Sequence, residues 1–120
     1  MRLKATAALS AALLMATLTT SPVAAFSPSV AAARHYALAK IDTTQFKCLD
    51  ALVMRESRWD PHAGHIDGYY GIAQTRPASR YGTGWRDDPL VQTKWMLRYI
   101  HGRYGSACQA WAWWQSHHWY

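Results

Sequence analysis

Cys48 and Cys108 are the two cysteines of this 120-residue chain, and they stand near opposite ends of its compact part. A bond between them would close a loop of about 60 residues and tie the start of any fold to its end, a contribution of roughly 4 kcal/mol by the loop-entropy model. An even cysteine count favours such a bond when the chain is exported. The alternative is a pair of free buried thiols. The choice turns on the compartment, and the N-terminus speaks to that.

Arg2 and Lys4 form a short basic start, followed by an apolar run from Ala5 to Leu18 and then Thr19, Thr20, Ser21 and Pro22. The run is shorter than the about 20 residues needed to span a bilayer. Val23-Ala24-Ala25 offers small residues to a signal peptidase. Residues 1–25 therefore read as a signal peptide cleaved after Ala25. Ala33 is a second candidate site, and a retained N-terminal anchor is the alternative. The mature protein is expected to be secreted and cell-wall-associated, with no stable membrane insertion once the leader is gone. Residues 26–40, rich in Ala, Ser and Pro, read as a flexible lead-in, and residues 41–120 as the folded domain. At that size a core alone is marginal and a staple helps.

The chain carries a formal charge of +6, and losing residues 1–25 removes two basic residues and no acid, leaving +4. A basic exported protein is drawn to anionic polymers and surfaces. The Lys and Arg residues are scattered rather than run together, so nucleic acid is not an expected partner.

The domain reads as mainly helical. Asp42 caps a first helix running to about Ser57, with Gln45 completing a capping-box pattern. Leu49, Leu52 and Val53 form its apolar stripe. Trp59-Asp60-Pro61 ends it, because the residue before a proline avoids helical angles. Residues 60–71 hold Pro61, Gly64, Gly68 and Gly71 and read as irregular, with a short hairpin left open. A helical turn is expected near Pro77–Tyr81, ended by Gly82. Asp88-Pro89 opens a further helix in which Val91, Trp95 and Tyr99 share a face, and Gly102 and Gly105 end it. Ser106 opens the last helix, which carries Trp111, Trp113 and Trp114. No run alternates convincingly with period 2, so little or no β structure is expected.

Glu56 is the one glutamate, and it falls on the apolar stripe of the first helix. A carboxyl at the end of a buried face is partly desolvated, which raises its pKa and suits it to general-acid work. The aspartates have other employment. Asp42 and Asp88 cap helices, Asp87 neighbours a cap, Asp50 lies on the polar side of its helix, and Asp60 precedes a proline. Asp67 lacks so clear a role: it is read as shaping a turn with Gly68, and is otherwise a weak second carboxylate candidate. Ordinary glycosidases use two carboxylates. A sugar-cleaving enzyme with one would need its substrate to supply the second group, as substrate-assisted enzymes do. Taken by itself, the position of Glu56 favours a helix-end residue turned to solvent, as most glutamates are.

Glu56-Ser57-x-Trp59-x-Pro61-x-Ala63, followed by Gly68-x-x-Gly71-Ile72-x-Gln74, resembles the motif pair of the soluble lytic transglycosylase family, which has a lysozyme-like fold. The stretch Tyr99-Ile100, Arg103-Tyr104-Gly105, Cys108, Ala110-Trp111 and Trp119-Tyr120 is similar to a small branch of that family in exported actinobacterial and phage proteins. The resemblance covers about Phe46 to Tyr120. It implies a small lysozyme-like domain with helices around a glycan cleft, acting as a monomer on peptidoglycan strands. The implied reaction cleaves the bond between N-acetylmuramic acid and N-acetylglucosamine and leaves a 1,6-anhydro-muramoyl end. By the same resemblance Glu56 is the catalytic acid and Ser57 orders the site. Gly71, Ile72 and Gln74 line the cleft where the sugar's acetamido arm lies, and Tyr99 faces the acid.

The sequence departs from the family's pattern at Asp67-Gly68-Tyr69-Tyr70, where Ser-Gly-Ala is usual before the glycine, and at Ala73, where a larger residue is usual. Tyr69 and Tyr70 are expected at the cleft edge, where they would narrow or reshape a subsite. Aromatic rings stack on sugar faces, so Trp59 and Trp85, beside glycine-rich loops, are expected at the cleft, while Trp95, Trp111 and Trp114 are expected in the core. His62, His65, His117 and His118 lack metal-ligand company and read as solvated, so no metal or other cofactor is expected. No serine sits in a nucleophile elbow. A hydrolytic muramidase on the same fold and a non-catalytic glycan-binding surface protein are the competing readings.

Overall fold

A computed structural model describes residues 10–18, 29–86 and 88–120. The proposed cleavage residues Val23-Ala24-Ala25 and most of the leader lie outside them, as does Asp87. Of the leader, residues 10–18 are described. They are non-helical, and Leu13, Leu14, Met15 and Leu18 are exposed.

The domain is helical. Four α-helices are present among the described residues: α1 (Val30–Lys40), α2 (Thr43–Glu56), α3 (Pro89–Tyr104) and α4 (Ala107–His117), with a 3-10 turn at Ala78–Tyr81. No strand occurs among the described residues. The pairings of that kind are single bridges from Tyr70 to Gly64 and to Thr75. Among the described residues no helix is long and apolar enough to cross a membrane.

The helix starts follow local chemistry. Asp42 accepts from the Gln45 amide, Asp88 from the Leu90 and Val91 amides, and Ser106 from the Gln109 amide. Each satisfies a backbone donor that the first turn leaves free. Gln45 does not close a capping box. Its carboxamide oxygen accepts from the Cys108 amide at 2.9 Å, so it ties the start of α2 to the start of α4. The Cys48–Cys108 disulfide joins the same two helices, with 4.9 Å between Cα atoms.

The segment expected as a flexible lead-in contains α1. Ser29 caps it, and Ala33 and Ala37 are fully buried. Alanine favours helix but shows no stripe of large apolar residues, so its small buried face is hard to see in sequence. Arg34 fastens α1 to α2. Its guanidinium bonds Asp50 at 2.6 Å and lies over the rings of Phe46 and Trp59. Asp50 also accepts from the Trp59 indole at 2.7 Å. The polar-side aspartate of the sequence reading is thus a junction.

Leu49, Leu52 and Val53 of α2 meet Met96 and Ile100 of α3, Ile72 of the loop and Ala110 of α4 in one core. The buried side of α3 is Thr93, Met96 and Ile100, joined by Gln92. Trp95 and Tyr99, one turn apart, stack on each other with ring centres 5.0 Å apart and remain half-buried. That row is the wall of a cleft rather than the core.

Candidate active site

Glu56 ends α2. Its side chain is largely shielded, and this burial raises its carboxyl above the usual value of 4.5. The Trp114 indole donates to its Oε1 at 2.6 Å and pulls the pKa part of the way back. Among the described residues no carboxylate contributes to the shift. Trp114 stacks on Trp111 at 5.5 Å, and the Arg55 guanidinium lies over it at 5.9 Å. Trp114 was expected in the core. Its polar edge instead completes the acid's setting, a role that buried tryptophan often takes.

The disulfide helps explain why Trp114 is in reach. Cys48 pairs with Cys108 and Glu56 pairs with Trp114, so α2 and α4 run side by side in the same direction. From the disulfide to the acid is eight residues along α2 and six along α4, or about 12 and 9 Å of rise. The staple holds the indole opposite the carboxyl.

We expect Trp114→Phe to move the alkaline limb of the pH–rate profile upward. A general acid must be protonated to act, and the variant loses the bond that lowers the pKa of Glu56. A limb that stays in place would show that the indole does not tune Glu56.

The loop at 71–75 turns inward on itself. The Ile72 amide donates to Gln92, the Ala73 amide to the Tyr81 hydroxyl, the Gln74 amide to Gly71, and the Thr75 amide to Tyr70. The carbonyls of Ile72 and Ala73 accept from the hydroxyls of Ser57 and Tyr120, at 2.7 and 3.0 Å. The backbone donors expected to meet an acetamido arm are therefore already in use. Ser57 is buried and binds the loop to the end of α2, and the Ile72 side chain is fully buried. Both position the site. The Gln74 side chain clamps two carbonyls, those of Ala63 and Gly71, both at 3.0 Å. It is half-buried and keeps one face on the cleft.

Gln92 is the hidden organiser. Fully buried, it accepts from Ile72 and donates to the carbonyls of Pro61 and Trp85. Gly71 has φ +78°, and a Cβ there would run into the Gln92 carboxamide and lie 3.0 Å from the Tyr81 hydroxyl. Gly71→Ala should cost roughly 2–4 kcal/mol, from left-handed strain plus overpacking. Urea unfolding measures it, and a loss under about 1 kcal/mol would contradict the packing described.

Two expected cleft aromatics lie elsewhere. Trp59 is 3 % exposed and stacks on Phe46. Arg58 and Trp59 both take left-handed backbone angles, which fold the ring back under α2. Tyr70 is buried, because its bridge to Gly64 and Thr75 points it inward against Trp85. Of the two tyrosines expected at the cleft edge, only Tyr69, 60 % exposed, lines it. Trp85, half-buried, packs edge-on to Tyr70.

The cleft is a concavity of about 250 Å³ lined by Tyr69, Gln74, Arg76, Trp95, Tyr99 and Tyr120, among others. Glu56 is not one of its lining residues, and the link to the acid is electrostatic, through Tyr120. Burial lifts its hydroxyl well above the usual tyrosine range, and the charge of Glu56 adds to this. Tyr99 touches Tyr120 edge-on at 5.7 Å and so stands behind it. The larger hollows, of about 590 and 600 Å³, lie away from Glu56, one at the starts of α2 and α4 and one along the outer face of α4.

The chain is similar to the "Probable transglycosylase IsaA" of Staphylococcus haemolyticus. The two are 39% identical over 71 residues, which is 59% of this chain and 28% of that protein. The chain thus matches well under half the length of this relative. No family model and no solved structure matches the chain.

Proposed function

We propose that the protein is a peptidoglycan lytic transglycosylase of the soluble lytic transglycosylase type, exported to the cell wall, with a lysozyme-like domain. The observation that carries this reading is Glu56. It is a shielded carboxyl with a raised pKa, held by Trp114, and its charge is felt by Tyr120 of the aromatic cleft; among the described residues no carboxylate contributes to its shift. The similarity to a probable transglycosylase points the same way.

A lone acid limits the chemistry. Protonated Glu56 donates to the oxygen between N-acetylmuramic acid and N-acetylglucosamine, and the bond to the muramic acid carbon breaks. The substrate's own acetamido group stabilises the cationic centre, the part a second carboxylate plays elsewhere. Glu56, now a carboxylate, removes the proton from the sugar's 6-hydroxyl. That oxygen closes the anhydro ring, and Glu56 is again protonated. No water is consumed. Trp95, Tyr99 and Tyr69 offer ring faces for sugars. Trp114 keeps the carboxyl in one orientation through both transfers.

The test is release of soluble fragments from purified peptidoglycan. The proposal expects release that rises with enzyme and time. Sedimentation with the wall and no release would favour a glycan-binding protein instead.

A further inference from the structure

We propose that Arg76 and Arg80 form a carboxylate-binding subsite on the cleft rim, which takes the acidic peptide stem carried by muramic acid; this rests on the peptidoglycan reading above. Both arginines line the same concavity as Gln74 and Tyr99, and the other side chains lining it are neutral. A sugar cleft needs no charge to hold N-acetylated sugars. The groups on such a substrate that two guanidinium ions would bind are the carboxylates of the stem.

The two guanidinium groups are held for the task. Arg76 lies over the Tyr69 ring at 5.8 Å and Arg80 over the Trp95 ring at 5.6 Å. Stacking on a ring orders the planar fork and leaves its N–H edges open for a bidentate carboxylate. Neither arginine makes an ion pair among the described residues. Their backbone is fixed to the catalytic loop. Arg76 follows Thr75, whose amide bonds Tyr70, and Arg80 precedes Tyr81, whose hydroxyl bonds both Ala73 and Tyr70. A stem carboxylate held here would set the register of the strand relative to Glu56. Both side chains are exposed, so their removal leaves the core intact.

The experiment uses soluble peptide-bearing glycan strands in two forms, one with free stem carboxylates and one with those carboxylates amidated. Binding to the Glu56→Gln protein is measured by calorimetry at low salt, where charge contacts are least screened. Cleavage by the otherwise native protein is measured in parallel. The free form should bind roughly five- to tenfold tighter than the amidated form, and kcat/KM should show the same preference. In the Arg76→Ala/Arg80→Ala protein that ratio should fall close to one, and the double Lys variant should keep part of it. A ratio that survives loss of both arginines would overturn the proposal while leaving the transglycosylase reading standing. So would affinity for a phosphate polymer that depends on the arginines, with no preference between the strands. Cleavage of neither strand, with the free form still preferred in binding, would defeat the transglycosylase reading and leave the subsite. Binding of neither strand would remove both.

Discussion

Glu56→Gln should lower fragment release from purified peptidoglycan by about 10²- to 10⁴-fold, the range for loss of a positioned proton-transfer group. The variant should remain folded. Glutamine keeps the shape and the oxygen that accepts from Trp114, but it has no proton to give and no basic form to take one back. Both transfers fail together, so adding a better leaving group should not rescue the rate fully. Activity within a few-fold of the native protein would remove Glu56 from the mechanism.

The same substitution should raise stability at neutral pH. Folding lifts the Glu56 carboxyl above its usual value of 4.5, mainly by desolvation. Between 4.5 and the raised value the folded state holds a proton that the unfolded state has released. Stability therefore falls as pH rises through that window. The glutamine side chain of the variant does not ionise and escapes the penalty. The variant should melt above the native protein at about pH 7, and the gap should close as pH drops below the usual carboxyl value. The acid's usefulness and its cost to stability come from the same burial.

The second large effect concerns the staple. Removing the Cys48–Cys108 bond by a double Ala substitution should cost about 4 kcal/mol in the loop-entropy account. A domain of this size has roughly 5–13 kcal/mol of stability. At about 4–8 °C per kcal/mol, the melting temperature should drop by about 15–30 °C. Circular dichroism of the oxidised protein and the Ala pair measures it. Activity should fall more steeply on warming than in the native protein, because the bond aligns α4 so that Trp114 meets Glu56. A melting temperature within a few degrees of the native value would mean that the Gln45–Cys108 hydrogen bond and the core hold the helices by themselves.

What the sequence makes legible is what local chemistry decides. Asp42, Asp88 and Ser106 mark helix starts because a short polar side chain satisfies a free amide nearby, and all three do so. The turn at Ala78–Tyr81 and the absence of strands among the described residues are visible for similar reasons. Glu56 is legible because its place on an apolar stripe implies burial. The misses are tertiary. Helix α1 hides because alanine packs without a large apolar stripe. Trp114 reaches the acid only through the pairing of α2 with α4, and Tyr120 enters the cleft only by folding back to bond the Ala73 carbonyl. Gln92 reads as an ordinary helix-surface amide until the loop folds over it. Tyr69 and Tyr70 are chemically alike, and the bridges of Tyr70 to Gly64 and Thr75 decide which faces the cleft.

The most direct test of the account is the mass of the muramoyl end made from purified peptidoglycan in oxygen-18 water. The account predicts an anhydro end, one water lighter than a hydrolysed end and free of label. A reducing muramic acid end carrying one labelled oxygen would show that water completes the reaction, and would contradict it.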